Sequence, residues 1–245
     1  MQAGSSRPSL LDHLAHAALV RAMTALAGAG PLLLLDATCG NGHDSLFLLA
    51  HAPPQARLLC LDVQPTALAA TRTRLAAAGL AARAEFCLQG HQELGSLLPP
   101  RLGQMAGDGG SAAGLQLGCA CFNLGWLPGG DKSLVTRAAD SLRALEAVLA
   151  LLAPQGCVSL HCYTGHPGGG EEAEAIRARV AILPPRQWRV LCAADANRSS
   201  QAESLFVLER LPQRQGSTGQ VQAKDFGGKF FEPVSKDNAG SSRAR

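Results

Sequence analysis

Residues 32–44, LLLLDATCGNGHD, decide the fold. Four leucines ending on Asp36 read as a buried parallel strand, and Gly40, Asn41 and Gly42 follow almost at once. Glycine lets a chain turn tightly and approach a ligand with no Cβ in the way. The amides that open the next helix then point outward with the positive end of its dipole. A second apolar run, RLLCLD at 57–62, ends on Asp62, 20 residues beyond Gly42. An acid at the end of a second strand suits the two hydroxyls of a ribose. Strand, glycine loop, helix, strand and acid together describe a site for an adenosine-type cofactor.

The order of acid and glycines narrows the cofactor. The dinucleotide fingerprint G-x-G-x-x-G needs a third glycine for close helix–strand packing, whereas Ser45 stands three residues after Gly42 and Asp36 precedes the glycines. A carboxylate there repels a pyrophosphate but pairs with an ammonium group. S-adenosylmethionine carries an ammonium, a sulfonium and a ribose and no phosphate, so the pattern favours a methyl donor over NAD. A structural glycine turn in some other α/β protein is the competing reading.

At 245 residues the chain is long enough for one α/β domain with a full core. Apolar residues make up 47% and charged residues 17%, which excludes a disordered chain. No apolar run approaches the roughly 18–20 residues of a membrane span. The opening MQAGSSRPSL has no signal-peptide core. The expected compartment is the cytoplasm, or an organelle if a targeting peptide has been removed. A net charge of +3 neither demands nor forbids nucleic acid. The eight cysteines include no C-x-x-C pair, so no metal is expected. All but Cys39 fall in apolar, strand-like runs, where a reduced thiol is a small buried hydrophobe. Cys39, in the glycine loop, is the one expected near a ligand. The oligomeric state, a homodimer included, is left open.

Residues 9–27 read as an amphipathic helix with Leu10, Leu14, Ala17, Ala18 and Leu26 on its apolar side. Strands are expected at 32–36, 57–62, about 83–89, 115–122, 157–163, 187–193 and 203–210. Helices are expected at about 43–51, 65–78, 133–153 and 171–181. Residues 99–114, PPRLGQMAGDGGSAAG, read as a flexible surface insertion, and 212–245 as a disordered tail. This alternation implies a doubly wound, Rossmann-like α/β fold with helices on both faces of a seven-stranded, mostly parallel sheet, the last two strands antiparallel.

Ligands in such a sheet bind beyond the carboxyl ends of the strands, and polar clusters fall there. The expected cofactor residues are Asp36, Thr38, Gly40, Asn41, Gly42, His43 and Asp44 after the first strand, Asp62 and Gln64 after the second, His91 and Glu93 after the third, and Asn123 after the fourth. Amino-group methyltransferases commonly carry Asn or Asp followed by Pro-Pro-Tyr after strand four. Here FNLGWLPGGDKS puts Asn123 in that place and the aromatic at Trp126. Asn123, Tyr163 and His166 are therefore the candidate catalytic residues, and Gly125, Trp126, Asp131 and Lys132 the candidate substrate contacts. A turn role for Asn123 and a core role for Trp126 are the plainer alternatives.

DATCGNGHDS, LDVQ, GHQEL, FNLGWLPGGDKS and YTGHPGGGEE occur in this order over residues 9–211. In them the chain resembles the bacterial and plant tRNA 5-(aminomethyl)-2-thiouridine methyltransferases, class I enzymes formerly labelled rRNA methylases. Cys39 replaces a larger apolar residue of that family, Ser45 a threonine and Trp126 a tyrosine. None of these changes removes a polar group assigned to chemistry. The resemblance implies methylation, by S-adenosylmethionine, of the 5-aminomethyl nitrogen on the wobble uridine in the anticodon loop of a tRNA. Methylation of rRNA or a small amine on the same scaffold, or a non-catalytic cofactor- or RNA-binding module, are the alternatives. Intact Asp36, Gly40, Gly42, Asp62 and Asn123 argue against the last.

Overall fold

The leucine run and RLLCLD become neighbouring parallel strands, β1 (Leu32–Asp36) and β2 (Arg57–Asp62), in a computed structural model that describes residues 8–104, 115–197 and 203–212. Every residue of β1 is buried, as a strand covered on both faces requires. Around this pair the chain places α1 (Leu10–Leu26), α2 (His43–His51), α3 (Pro65–Ala77), β3 (Ala84–Leu88), α4 (Leu94–Gln104), β4 (Gln116–Leu124), α5 (Ala138–Leu151), β5 (Leu152–Cys162), α6 (Gly169–Ala181), β6 (Trp188–Ala194) and β7 (Ser204–Arg210). The seven strands form one sheet in the order β3-β2-β1-β4-β5-β7-β6. Strand β7 runs antiparallel to both its neighbours, as expected of the last pair.

Two apolar layers cover the sheet. Leu34, Cys60, Cys119, Cys121, Leu205 and Val207 pack with α1, α2 and α3, while Leu33, Leu35, Leu59, Phe122 and Leu160 pack with α4, α5 and α6. Strand order reverses between β1 and β4, and Asp36 and Asn123 lie at the ends of those two strands. That switch point is where an open α/β sheet leaves a crevice for a ligand.

Several expectations give way to packing. The buried face of α1 is Leu11, Ala15, Leu19, Ala22, Met23 and Leu26, which shares only Leu26 with the expected one; Leu10, Leu14 and Ala17 are exposed and Ala18 is partly so. The helix is apolar over most of its circumference, so periodicity alone could not choose. The expected insertion begins later than residue 99, because Leu94 and Leu98, one turn apart, are fully buried and carry α4 through Pro99 and Pro100. Burying leucines at about 1.5–3 kcal/mol each offsets the proline penalty. The remaining insertion residues, 105–114, and the tail from 213 lie outside the described residues.

Helix α5 starts at Ala138 rather than 133, since Trp126 and Val135 form a β-bridge and the Thr136 N–H donates to the Gly125 carbonyl (3.0 Å). Strand β4 runs on to Leu124, which puts Asn123 within the strand. Strand β5 starts at Leu152 and absorbs Pro154 and Gln155 where its register against β4 shifts. Cys39 is buried in the core rather than turned to a ligand, and Cys192 is exposed on β6 rather than buried.

Candidate active site

The glycine turn is the tightest part of the crevice. Gly42 has φ +77°, and a Cβ there would lie 2.7 Å from the Thr71 Cα on α3. Asp62 staples the turn to β2. Its Oδ2 accepts the Gly40 N–H (3.0 Å) and its Oδ1 the Gln64 N–H (2.9 Å). Burial raises the Asp62 carboxyl, and these backbone donors oppose the shift. Arg74 donates to the Asn41 carbonyl (2.7 Å) and bonds His43 (3.2 Å), so His43 lies on the exposed outer side of the turn. Burial lowers the His43 imidazole.

Val63 and Leu88 are exposed apolar side chains, one beside Asp62 and the other its register partner on β3. They offer a flat aromatic ring an apolar seat, and nothing in the sequence marked them, because a single exposed valine or leucine carries no motif. A cleft of 440 Å³ adjoins the turn, lined by Asn41, Gln64, Thr66 and the loop Leu127–Asp131. Asn41 reaches that loop at the Pro128 carbonyl (3.3 Å). The glycine turn, the acid and the apolar seat fit the expected adenosine-type cofactor. A larger hollow of 690 Å³ lies between α2 and α3, lined by Leu46, Arg74 and small residues of α3.

Asp36 is not on that surface. It is fully buried, Ser45 donates to its Oδ2 (2.6 Å), and its Oδ1 has no partner. Burial, reinforced by the charge of Asp44, raises its carboxyl to about 7. The expected ion pair with a cofactor ammonium is therefore corrected: the side chain points under the turn, into the core. His91 is corrected in the same way. It is buried, faces Phe122 edge-on and bonds Ser141 (3.2 Å), whose hydroxyl donates to Glu172 Oε1 (2.5 Å). Thr136 donates to the other Glu172 oxygen (2.6 Å). This chain clamps α5, α6 and the loop after β4 together, while Glu93 is exposed on a short 3-10 turn.

On the β4–β5 side, Thr38 Oγ1 accepts the Asn123 backbone N–H (2.7 Å). Asn123 Nδ2 donates to Asp44 Oδ2 (2.6 Å), and His16 Nε2 donates to Asp44 Oδ1 (2.7 Å). These donors hold the Asp44 carboxyl below its usual range against desolvation. Both Asp44 oxygens thus accept hydrogen bonds from within the protein. With Nδ2 committed to Asp44, Asn123 Oδ1 is the acceptor end: it takes the Tyr163 hydroxyl (3.4 Å) and keeps a second lone pair. Burial raises the Tyr163 phenol, so it stays protonated at neutral pH. Beneath Tyr163, at 4.4 Å, stacks the buried His161, which lies between Asp12 (3.2 Å) and Glu203 (3.0 Å). His16 and His161 were not anticipated: His16 sits in an apolar stretch with no motif around it, and His161 lies inside the strand just before the YTGHPGGGEE motif.

His166 Nδ1 faces the Pro167 carbonyl (3.0 Å) and donates to it, which leaves Nε2 as the acceptor nitrogen. That nitrogen is buried without a partner, and a Cβ on Gly169 would lie 2.8 Å from it. Enclosed this way it cannot take a proton from a bound substrate, so His166 braces the loop. Trp126 packs edge-on against it at 5.4 Å and carries Lys132 Nζ 5.8 Å above its ring. Asp131 accepts from the Ser133 N–H and hydroxyl (2.8 Å each), shaping the loop.

A seven-stranded sheet with one reversed strand, opening at an acid–glycine turn, is the fold of the class I methyltransferases. The chain belongs to the family described as "Putative rRNA methylase", which matches residues 58–209. It is 31% identical over 186 residues to an Arabidopsis thaliana protein named tRNA (mnm(5)s(2)U34)-methyltransferase, chloroplastic, covering 72% of this chain and 63% of that relative's length. A Clostridium thermocellum structure described as a "putative rRNA-methylase" is 27% identical with a TM-score of 0.61, over 73% of this chain and 88% of that one. A "putative methyltransferase" from Streptococcus mutans, solved with S-adenosylhomocysteine, is 25% identical with a TM-score of 0.63, over 84% of this chain and 100% of that one.

Proposed function

We propose that the protein is an S-adenosylmethionine-dependent N-methyltransferase acting on the 5-aminomethyl group of a tRNA wobble 2-thiouridine, to give the methylaminomethyl product. The observation that carries this reading is the Asp44–Asn123 bond. It commits the amide nitrogen and leaves Oδ1 as the acceptor, whose second lone pair, beside the one that takes the Tyr163 hydroxyl, can receive an amine N–H. The name of the Arabidopsis relative supports the choice of amine and of tRNA.

The cofactor supplies an electrophilic methyl on a sulfonium. In this reading Asp62 holds the ribose hydroxyls, Val63 and Leu88 flank the adenine, and the glycine turn lets the backbone lie against the ligand. Asn123 Oδ1 and the Gly125–Trp126 backbone hold the nitrogen, and Trp126 stacks on the uracil, a contact worth about 1–3 kcal/mol per base. A neutral amine is already a good nucleophile, so no base is required: Tyr163 positions it while His166 braces the loop. The proton leaves to water before the amine is enclosed. Holding nitrogen and methyl in line can then supply about 7–11 kcal/mol of the barrier.

The test is mass analysis of wobble nucleosides after incubating tRNA bearing 5-aminomethyl-2-thiouridine with protein and cofactor. A gain of one methyl on that nucleoside supports the reading. Methylation only of rRNA or of free amines moves the substrate elsewhere, and cofactor binding without turnover on any of them makes the chain a binding module.

A further inference from the structure

Helix α1 precedes the stretch matched to the family, 58–209. Yet it puts two side chains, one turn apart, behind the amine site. Asp12 reaches His161 under Tyr163, and His16 reaches Asp44 behind Asn123. The second contact is the tighter. The His16 ring lies flat on Phe47 of α2, with centroids 3.6 Å apart and planes 9° from parallel. That stack fixes the ring so that Nε2 aims at Asp44 Oδ1, and Asp44 in turn fixes the Asn123 amide. An asparagine amide has two orientations that swap donor and acceptor. Only the one with Nδ2 on Asp44 offers Oδ1 to an amine. A carboxylate free to rotate would hold that choice less firmly.

We infer that His16 is a positioning residue of the amine site, acting through Asp44 to lock the acceptor orientation of Asn123. The inference rests on the role given to Asn123 above. A chain of two hydrogen bonds carries it: a positioned donor on α1, a two-sided carboxylate at the start of α2, and the amide on β4. The ring face does the packing against Phe47 and the Nε2 edge does the orienting, so the two contributions can be separated by substitution.

His16→Phe keeps a ring for Phe47 and removes the donor; His16→Gln keeps a donor nitrogen and removes the ring. Under the inference His16→Phe lowers kcat on the aminomethyl tRNA about 10- to 100-fold, the cost of a small misplacement at the reacting centre. Cofactor affinity and KM for tRNA stay as in wild type, and His16→Gln retains most of kcat. Equal losses in both variants, or a loss confined to His16→Gln, would mean that His16 only packs, and would overturn the inference. If His16→Phe does not fold cooperatively, His16→Leu replaces it, and failure of both makes His16 a scaffold residue and ends the inference. A second readout needs no turnover. The Asn123 side-chain amide resonances, assigned by their loss in Asn123→Ala, are expected to coincide in wild type and His16→Gln and to shift in the variant lacking the donor. Unchanged resonances in that variant overturn the coupling. A wild type that shows the shift pattern but does not methylate the tRNA removes the proposed function and leaves the coupling standing.

Discussion

The glycine turn and the amine side of the crevice sit a few residues apart at the same sheet edge, but different parts of the chain hold them. The turn is stapled mainly from its own β1–α2–β2–α3 segment, by Asp62 to Gly40, Ser45 to Asp36, Thr71 to Gly40 and Arg74 to Asn41. The side proposed for the amine is assembled from α1, α2, β4, β5 and the residue before β7, through His16, Asp44, Asn123, Tyr163, His161 and Glu203. A local turn is specified wherever its glycines and acid recur at the right spacing. A long-range cluster exists only if the whole sheet and its covering helices pack in register. Changes on the turn side should therefore act on cofactor affinity, and changes on the amine side on turnover.

The largest expected effect breaks the amine side alone. Asn123→Ala should lower single-turnover methyl transfer to tRNA by about 100-fold while calorimetry shows cofactor affinity unchanged. Equal losses in both would put Asn123 in the cofactor site and erase the distinction between the two halves. Asp62→Ala is the mirror case. Removing a charged acceptor costs about 1.5–3 kcal/mol of cofactor affinity, and it also frees the Gly40 and Gln64 amides. A variant that loses folding stability but binds S-adenosylmethionine normally would reduce Asp62 to a loop staple.

Asp36 sharpens the comparison through pH. Its carboxyl is raised from 3.8 to about 7, so the folded protein holds this proton more tightly than the unfolded chain. The stability this contributes is complete below about pH 4 and is lost as pH rises to 7. Urea denaturation across that window should show a decline that Asp36→Asn reduces, while Asp12, lowered to about 2, loses its contribution only as pH falls below 4. A decline of unchanged size in Asp36→Asn would assign it to other carboxyls raised by burial, such as Asp62, and would mean that Asp36 does not hold its proton in the folded protein. The smallest effect belongs to Lys132, exposed above Trp126. Lys132→Ala should leave cofactor affinity alone and lower the slope of log tRNA affinity against log salt by about 0.7–0.9. An unchanged slope would make it an ordinary solvated lysine.

Much of the cofactor half was legible because its signals are local. Strands β1 and β2 and helix α2 fall where the apolar runs and glycines put them, since a run buried on both faces admits few other readings. The rest of the candidate site was legible as a set of residues at the sheet edge but not as a geometry. His91, Asp44 and His166 stand in the expected motifs, yet the structure turns His91 to Ser141 and Glu172, commits Asp44 to His16 and Asn123, and seals His166 Nε2 beside Gly169. A motif fixes which backbone reaches the sheet edge. Whether a side chain then turns to the ligand or to the core depends on neighbours contributed from far along the chain.

The sequence by itself determined the alternation of strands and helices, the turn at Gly40–Gly42, the acid at Asp62 and the gathering of polar residues beyond the strand ends, because propensity, periodicity and glycine spacing are properties of short segments. Only the tertiary structure decided which face of α1 is buried, where α4 replaces the start of the expected insertion, that Asp36 lies under the turn with an unpartnered oxygen, and that His16 stands behind Asn123. Each of those depends on which competing apolar faces and hydrogen-bond partners meet once the layers close. Burial free energy and polar satisfaction are settled between segments, and no single segment carries that information.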